Sequence, residues 1–305
     1  MSGPVLLRPR EVPLGGPRAM TVRRTLPQLA RTFIGAWCFV DHYGPDDVSE
    51  TGGMAVPGHP HTGLATATWL FAGEVEHRDT TGMHAIVRPG ELNLMTAGSG
   101  IAHSEFSTPS TDILHGVQLW IALPERDRFV EPGFVHHVAE SADVDGARVA
   151  VFLGDLLGVT SPVATHSPLV GAEITLPAGQ RLQLPVDVAH EHGLLCDSGQ
   201  IRVGEVAAGP GELVLCPTGA RTLGVVAGPD APARLLLIGG EPLGEQLVMW
   251  WNFIGGSDEE VRAFRADWER ERQYGGGERF GRFPQAWTGT LPAPELPNVT
   301  LRLRG

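Results

Sequence analysis

The chain has 305 residues, of which 42% are hydrophobic, and this is long enough for two ordinary domains that each bury their own core. The 40 Gly and 25 Pro are too many for a helical protein and are spread along the chain, which indicates many short strands joined by turns. A formal net charge of −12 and the lack of any run of Lys or Arg argue against direct nucleic-acid binding.

Two features indicate the compartment. Residues 1–8 lack the basic start and the continuous apolar core of a signal peptide, and no apolar run approaches membrane-spanning length. We therefore expect a soluble, cytoplasmic protein that does not bind membranes. Cys38, Cys196 and Cys216 are odd in number and widely spaced, which favours reduced, buried thiols over a disulfide framework or a Cys-based zinc site.

Short β-branched and aromatic runs recur along the first half of the chain. The run 31–40 predicts a strand, with residues 41–45 as the turn that follows it. Further strands are predicted at 65–71, 85–87, 92–95 and 116–122. Strands this short and this closely spaced are typical of a β-sandwich or a β-barrel.

Two pairs of candidate metal ligands, His59 with His61 and His103 with Glu105, each have i, i+2 spacing. Side chains two apart on a strand project from the same face, so two neighbouring strands could supply four ligands to one cavity. Three imidazoles and one carboxylate suit Fe, Mn, Ni, Cu or Zn and suit Ca or Mg poorly. Four protein ligands on an octahedral ion leave two open positions, enough for a bidentate substrate or for a substrate and dioxygen.

The second half of the chain repeats part of the first. Residues 89–98 (PGELNLMTAG) match residues 210–219 (PGELVLCPTG) at an offset of 121 residues, which indicates a duplicated β-domain. Carried forward by that offset, the four candidate ligands fall on Gln180, Leu182, Gly224 and Val226. The second copy is therefore expected to keep the scaffold and to lack the metal site.

His190 and His192 form another His-x-His pair in the second half of the chain. No His follows His192, so a second ligand pair cannot be completed as it is in the first copy. We therefore interpret residues 190–192 as a surface turn.

The last part of the chain changes character. Residues 248–253 predict one more strand, and Ser257 followed by Glu260 is a capping box. Val261, Phe264 and Trp268 follow at helical spacing, which predicts one amphipathic helix over residues 258–273. The Pro-rich residues 291–297 should run extended over the surface.

Several motifs together resemble the pirin family of the cupin superfamily. His59 lies six residues after Gly53, as in the first cupin motif, and Gly100 to His103 matches the Gly-x-x-His of the second. The resemblance to pirins covers nearly the whole chain and rests on residues 39–42, 59–63, 73–82, 89–98, 103–105, 118–120 and 239–244. In one departure, Ala65 and Thr66 occupy the place where many pirins and most cupins carry a Glu, which removes a wall contact near the metal.

The resemblance implies an all-β fold, a bicupin with two jelly-roll β-barrel domains in tandem and a C-terminal α-helix. We assign residues 1–135 to a metal-binding N-terminal domain. Residues 136–305 are assigned to a C-terminal domain that lacks metal ligands and includes the helix 258–273 and the extended tail. The resemblance also implies iron, Fe(II) or Fe(III), held by His59, His61, His103 and Glu105.

Members of the pirin family have quercetin 2,3-dioxygenase activity, in which the 3-hydroxyl of a flavonol ionises and both atoms of dioxygen enter the cleaved ring. The resemblance therefore implies a metal-dependent dioxygenase with a small aromatic substrate. Glu105 is the candidate general base towards the 3-hydroxyl, provided that it leaves or loosens from the metal. Some pirins instead act as transcriptional co-regulators or bind metabolic enzymes, so a redox-sensing regulator with a protein partner is the alternative. A structural metal is disfavoured, because structural sites are usually closed and built with Cys.

Six further side chains are candidates for supporting the metal ligands or lining a pocket: His77, Asp79, Met95, His115, Gln118 and Trp120. His77 and Asp79 match the family pattern and predict either a hydrogen-bonded turn or a support that orients a ligand. His115 predicts either a core histidine or a pocket residue. Met95, Gln118 and Trp120 could line a pocket, with core packing as the alternative for the apolar ones.

Overall fold

The computed structural model describes residues 3–14 and 20–305. The first two residues of the N-terminal segment interpreted above lie outside the described residues, as do residues 15–19. The described chain is mostly β-structure, with helices α1 (Val48–Thr51) and α2 (Asp258–Glu271) and a 3-10 helix at Glu125–Asp127. None of these helices is long and apolar enough to cross a membrane.

The strands of the first half are β1 (Val5–Leu7), β2 (Arg10–Pro13), β3 (Thr21–Leu26), β4 (Trp37–Asp47), β5 (Ala55–His61), β6 (Leu64–Ala72), β7 (Val75–Asp79), β8 (His84–Val87), β9 (Glu91–Thr96), β10 (Ile101–Ser107), β11 (Ile113–Ala122) and β12 (Gly133–Val138). Those of the second half are β13 (Ser141–Val144), β14 (Ala147–Leu153), β15 (Asp155–Leu156), β16 (Val159–Thr160), β17 (Leu169–Leu176), β18 (Arg181–Pro185), β19 (Glu191–Ser198), β20 (Ile201–Val203), β21 (Val206–Ala208), β22 (Leu213–Cys216), β23 (Thr222–Ala227) and β24 (Ala233–Gly240). The last four are β25 (Val248–Trp250), β26 (Phe253–Gly255), β27 (Gly276–Gly277) and β28 (Gly281–Arg282).

The contacts group the chain into two compact units, each discontinuous in sequence. The site unit contains Tyr43–His136 and Gly244–Gly305, and the second-copy unit contains Arg23–His42, His137–Leu243 and strand β1. The helix α2, assigned above to the C-terminal domain, therefore lies in the site unit. After strand β4, the chain first crosses from the site unit to the second-copy unit between residues 136 and 137. Residue 135 therefore remains our proposed boundary between the two repeats.

The site unit contains two antiparallel groups of strands. One is a four-stranded sheet in the order β5-β10-β7-β8, and the other contains neighbouring strands in the order β12-β9-β6-β11. The predicted strands at 65–71, 85–87, 92–95 and 116–122 all fall within these elements. Strand β7 alternates, with Val75, His77 and Asp79 buried and the two residues between them half-buried, which is the pattern of a barrel wall.

The helix α2 packs on the site unit as its sequence predicts. Val261, Phe264 and Trp268 are buried with Phe253 in one hydrophobic cluster. The Ser257 hydroxyl accepts a hydrogen bond from Glu260 N at 3.2 Å, which confirms half of the capping box. The Glu260 carboxylate accepts from Gly256 N at 2.7 Å rather than from the N-cap residue itself. The helix ends at Glu271, two residues before the predicted end.

The second-copy unit repeats the turn that precedes β9. In the site unit, Glu91 N donates to Arg88 O at 3.0 Å, and Arg88 N donates to the Glu91 carboxylate at 2.9 Å. In the second-copy unit, Glu212 N donates to Gly209 O at 3.0 Å, and Gly209 N donates to the Glu212 carboxylate at 3.0 Å. The same backbone turn closed by the same carboxylate supports the predicted duplication.

The interior of the second-copy unit is apolar where the first copy carries its candidate ligands. Strand β18 pairs with β23, and Leu182 and Leu184 lie opposite Val225 and Leu223 in the buried core. Gln183, and not Gln180, pairs with Gly224, so the ungapped offset does not hold at the first ligand pair. Leucine and valine fill this interior and offer no ligand atoms.

Strand β4 corrects the prediction for residues 31–45. It begins at Trp37 and continues through the predicted turn to Asp47. Asp41 and His42 are buried within it, because the Asp41 carboxylate accepts two hydrogen bonds of 2.7 Å from Arg24 and His42 Nε2 lies 2.8 Å from Asp197 Oδ1. Polar residues typical of a turn are tolerated in a buried strand when tertiary partners satisfy them.

Two further predictions in the second half are wrong. Residues 248–253 form the hairpin β25–β26 instead of one strand, with Trp251 at φ 50° in the turn. Residues 190–192 are not a surface turn, because β19 begins at Glu191 and His192 is 2% exposed. Burial lowers the pKa of His192 to about 4. The Glu191 carboxylate accepts hydrogen bonds from Arg31 and from Gly35 N, so tertiary partners hold the strand start in place.

Candidate metal centre

Strands β5 and β10 lie side by side and carry the four predicted ligands. His103 pairs directly with His59, and a register shift between His103 and Glu105 brings Glu105 opposite Val56. Because alternate residues of a strand face the same side, each pair of ligands projects into the same interior. All four side chains are buried, with exposed fractions of 6% for His59, 1% for His61, 0% for His103 and 6% for Glu105.

The three histidines converge on one point. Ligand nitrogens of His59, His61 and His103 all lie within 4.8 Å of one another, and the Nε2 atoms of His61 and His103 are 3.0 Å apart. The Glu105 carboxylate belongs to a second group, in which its oxygen and nitrogens of His77 and His103 lie within 4.8 Å of one another. The structure thus places Glu105 beside His103, while the complete four-ligand set stays a prediction.

The rings of His59 and His61 differ in how well hydrogen bonds orient them for metal binding. His59 Nδ1 lies 2.9 Å from the Pro57 carbonyl, which requires the proton on Nδ1 and leaves the lone pair of Nε2 free. His61 Nδ1 approaches the backbone of Asn252 without a hydrogen bond of good geometry. A metal ligand that donates its second ring nitrogen to a fixed acceptor is held in one orientation, and His59 meets this condition.

Burial sets the charge of the site. Desolvation lowers the pKa of His59 to about 4 and holds the pKa values of His61 and His103 well below their ordinary value, so all three imidazoles are neutral at pH 7. Burial also raises the pKa of Glu105, against the opposing effects of His77 and of the Thr68 hydroxyl. Neutral imidazoles and a desolvated carboxylate are donors that fit a divalent transition metal, which would supply the positive charge that the pocket lacks.

His77 and Asp79 contact the candidate ligands from strand β7. His77 Nδ1 lies 3.3 Å from His103 Nδ1, and His77 Nε2 lies 3.0 Å from Asp79 Oδ2. The other oxygen, Asp79 Oδ1, accepts from Thr81 N at 2.9 Å, from the Thr81 hydroxyl at 2.6 Å and from Met83 N at 3.2 Å. Burial opposes ionisation of Asp79, but these hydrogen bonds prevail and lower its pKa. Asp79 therefore closes a turn and holds His77 at the same time.

The predicted pocket residues Met95, Gln118 and Trp120 lie on one face of the larger sheet. Strand register places Thr66 between Met95 and Trp120, and it places Thr68 beside Gln118. The Trp120 ring lies 5.1 Å from the His61 ring, in an edge-to-face arrangement. This face therefore looks onto the histidine cluster. Thr66 belongs to this row, so the departure from the family pattern falls on the wall of the site.

The Thr68 hydroxyl connects this wall to the candidate ligands. It lies 3.2 Å from Glu105 Oε1 and 2.9 Å from Gln118 Oε1. Both residues are buried, 3% exposed for Thr68 and 5% for Gln118. Gln118 therefore reaches Glu105 through Thr68, a connection that the sequence analysis did not foresee.

The structure places His115 in one of the two ways predicted for it and adds Asn93, which was not predicted. His115 does not join either histidine group of the site unit within the described residues; its ring packs edge-on against Phe71 at 5.0 Å. Asn93, which the sequence analysis missed, is 3% exposed and pairs with Thr68 across β6 and β9. His136 Nδ1 lies 2.8 Å from Asn93 Oδ1, and Asn93 Nδ2 has no partner among the described residues. A signal was available, because Asn93 precedes Met95 by two positions and strand alternation puts both on one face.

Two β-units, one with a buried histidine cluster and one with an apolar interior, define a bicupin. The profile of the family described as Pirin matches residues 19–121, and that of the Pirin C-terminal cupin domain matches residues 171–274. The chain therefore belongs to the pirin family. The predicted family and the predicted arrangement of two cupin domains with a C-terminal helix are both confirmed.

Individual relatives agree with this assignment. The chain is 41% identical over 289 residues to a Pseudomonas aeruginosa protein named "Putative quercetin 2,3-dioxygenase", covering 94% of this chain and 89% of the relative. It is 33% identical over 262 residues to a pirin-like protein of Caulobacter vibrioides, covering 82% and 88% of the two chains. The crystal structure of quercetin 2,3-dioxygenase from Acinetobacter baumannii matches with a TM-score of 0.91 at 33% identity, over 99% of this chain and 98% of that chain.

Proposed function

We propose that this protein is an iron-dependent dioxygenase that cleaves the ring of a flavonol-like substrate, as a quercetin 2,3-dioxygenase does. The observation that carries the proposal is the convergence of three buried, neutral imidazoles beside a buried carboxylate. The names of the Pseudomonas relative and of the Acinetobacter structure support the same reaction class. Bound iron would supply Lewis acidity and one-electron chemistry with dioxygen.

Within this proposal, His59, His61 and His103 hold the ion through imidazole nitrogens. Their low pKa values keep these nitrogens unprotonated at neutral pH, so no proton has to leave before a ligand bond forms. Burial excludes water from the cluster and strengthens each electrostatic interaction within it. The protein thus contributes three unprotonated nitrogen donors in a buried environment.

Glu105 is the proposed general base for the 3-hydroxyl of the substrate. Its carboxylate can accept the proton at Oε1 or Oε2 once it is released from the ion, and in the metal-free protein burial raises its pKa, which favours proton uptake. The Thr68 hydroxyl, 3.2 Å from Oε1, holds the carboxylate in position. Because Glu105 lies beside His103, proton transfer and metal binding share one side of the pocket.

The wall opposite the ligands suits an oxygenated aromatic ring. Trp120 and Met95 offer apolar surface against which a flat ring can pack, and both are buried. Gln118 and Asn93 place amide groups in the next row of the same face. A few polar groups on an apolar wall are typical of a pocket that orients a small molecule.

The proposal is tested by oxygen consumption of anaerobically Fe(II)-loaded protein that is given quercetin. Uptake with loss of the flavonol absorbance is expected for wild type, and His103→Ala should lose both tight metal binding and uptake. His84→Ala is the matched control, because His84 lies on β8 with a side chain 48% exposed and is not a proposed ligand.

The outcomes separate the two candidate functions. If His103→Ala binds metal as tightly as wild type, the site assignment is wrong. If fully iron-loaded wild type consumes no oxygen with quercetin or other flavonols, the dioxygenase proposal fails. A redox-sensing regulator that binds a protein partner would then be the function to test.

A further inference from the structure

His103 is the one candidate ligand whose outer nitrogen contacts a second ionisable pair. Its Nδ1 lies 3.3 Å from His77 Nδ1, and His77 Nε2 lies 3.0 Å from Asp79 Oδ2. His77 and Asp79 are 2% and 1% exposed, so water does not compete for these contacts. Strand register supports the arrangement, since Asp79 pairs with His103 and His77 pairs with Glu105 between β7 and β10.

For a metal-bound cluster of neutral imidazoles, the contacts allow one consistent placement of protons. A neutral imidazole carries a single N–H, and the nitrogen that binds a metal must be the unprotonated one. His103 Nε2 faces His61 Nε2 at 3.0 Å inside the cluster, which makes it the nitrogen available to a metal, so in the metal-bound protein the proton of His103 belongs on Nδ1. His77 Nδ1 must then accept that proton's hydrogen bond, which leaves His77 to donate from Nε2 to Asp79 Oδ2.

Asp79 fixes the direction of this chain. Three donors, Thr81 N, the Thr81 hydroxyl and Met83 N, face Asp79 Oδ1. The carboxylate therefore has no freedom to turn away from His77, and Oδ2 remains an acceptor. The His77 ring is further held by the Phe134 ring, whose centroid lies 4.6 Å away.

We propose that Asp79 and His77 form an ordered donor chain that fixes His103 as its Nδ1–H tautomer and makes Nε2 of His103 the strongest of the three imidazole ligands. The inference rests on the proposed metal site. His59 donates only to a neutral carbonyl, that of Pro57, and His61 Nδ1 lacks a well-aligned acceptor. A chain that ends in a carboxylate makes the ligand more basic than either arrangement. His77 and Asp79 are positioning residues that act through His103.

The direct test is the tautomeric state of the histidines in Zn(II)-loaded protein with 15N-labelled histidine, read by long-range 1H–15N correlation. We expect His103 to be protonated on Nδ1 and His77 on Nε2. Protonation of His77 on Nδ1, or of His103 on Nε2, would overturn the chain. Zn(II) that leaves the His103 nitrogens unshifted would instead show that the proposed metal site is wrong.

Variants give a second, independent readout. His77→Phe keeps a ring against Phe134 and removes the chain, and we expect Zn(II) affinity to fall about tenfold in competition with a chelator. Asp79→Asn should reverse the direction of the hydrogen bonds. The donors around Oδ1 hold the amide oxygen there, so the amide NH2 faces His77 Nε2 and donates to it. The His77 proton then moves to Nδ1, where it faces the Nδ1–H of His103. The 15N spectrum should report this reversal as His77 protonated on Nδ1.

The matched control is His84→Phe, which makes the same change at a histidine on β8 that is not part of the chain and whose side chain is 48% exposed. It should bind Zn(II) as wild type does. Iron gives another readout. If His77→Phe lowers Fe(III) affinity tenfold more than Fe(II) affinity, the reduction potential of the bound Fe(III)/Fe(II) couple should be about 59 mV higher than in wild type. Equal affinities and equal potentials in wild type and His77→Phe would refute the inference.

Discussion

The metal-free protein should lose stability as the pH falls below 6.5, and His59 should account for a measurable share. The ordinary pKa of histidine is 6.5, and burial lowers the pKa of His59 to about 4. The unfolded chain therefore binds more protons than the folded one between these values. Since stability rises with pH wherever the unfolded state binds more protons, it must fall as the solution is acidified from pH 7 to pH 5.

The size of the effect follows from the two pKa values. At pH 5 the unfolded chain gains about 2 kcal/mol from protonating this one histidine, and at pH 7 only about 0.2 kcal/mol. His59→Gln removes the titrating group, and the new amide can still donate to the Pro57 carbonyl. The free energy of unfolding of His59→Gln should thus fall about 1.8 kcal/mol less than that of wild type between pH 7 and pH 5.

Urea unfolding of chelator-treated protein at the two pH values measures this difference. Titrating groups remote from His59 cancel in the comparison, and the lost repulsion on His61 and His103 adds to the difference in the same direction. His84→Gln is the matched control for the substitution itself, because His84 is exposed and lies outside the histidine cluster, and it should change the fall less than His59→Gln does. An equal fall in His59→Gln and wild type would show that His59 is not held neutral by burial.

Three further predictions follow from individual contacts. Glu105→Gln should keep the fold and abolish flavonol-dependent oxygen uptake, because an amide cannot accept the substrate proton; normal uptake at saturating Fe(II) would remove Glu105 from this role. Thr68→Val should lower kcat about tenfold, because the hydroxyl 3.2 Å from Glu105 Oε1 is lost, and an unchanged kcat would contradict it. The same change should cost about 1–3 kcal/mol of stability, because the buried Gln118 oxygen also loses its partner. Trp268→Ala should destabilise the protein by about 3–5 kcal/mol in urea unfolding, because the ring is fully buried, packs 5.4 Å from Phe280 and donates to Leu291 O at 2.9 Å. A loss of stability below about 1 kcal/mol would show that packing of the helix contributes little.

Strands were predicted correctly where the pattern lies within the strand's own residues. The prediction failed where contacts with residues distant in sequence determine the local structure. The alternating run at 65–71 lies within β6, and the helix start at Ser257 is confirmed, because alternation and capping are local properties. Residues 41–45 have the composition of a turn and continue strand β4 instead. Arg24 and Asp197 satisfy the polar side chains of Asp41 and His42, and no local sequence pattern predicts these contacts.

The candidate ligands were predictable for a similar reason. The i, i+2 spacing predicts that His59 shares a strand face with His61, and that His103 shares one with Glu105. The structure places the two strands side by side. Their pKa shifts were not predictable, because desolvation depends on what packs around a ring rather than on its neighbours in sequence.

Motif spacing and strand period are properties of residue order, so they were enough to predict the family, the two β-repeats and the candidate metal ligands. Three features could be found only in the folded chain: α2 belongs to the site unit, Thr68 links Gln118 to Glu105, and Asp79 reaches His103 through His77. Each of these depends on the register of neighbouring strands and on side-chain direction. A shift of one residue would turn every such side chain to the opposite face, so only the folded chain fixes these contacts.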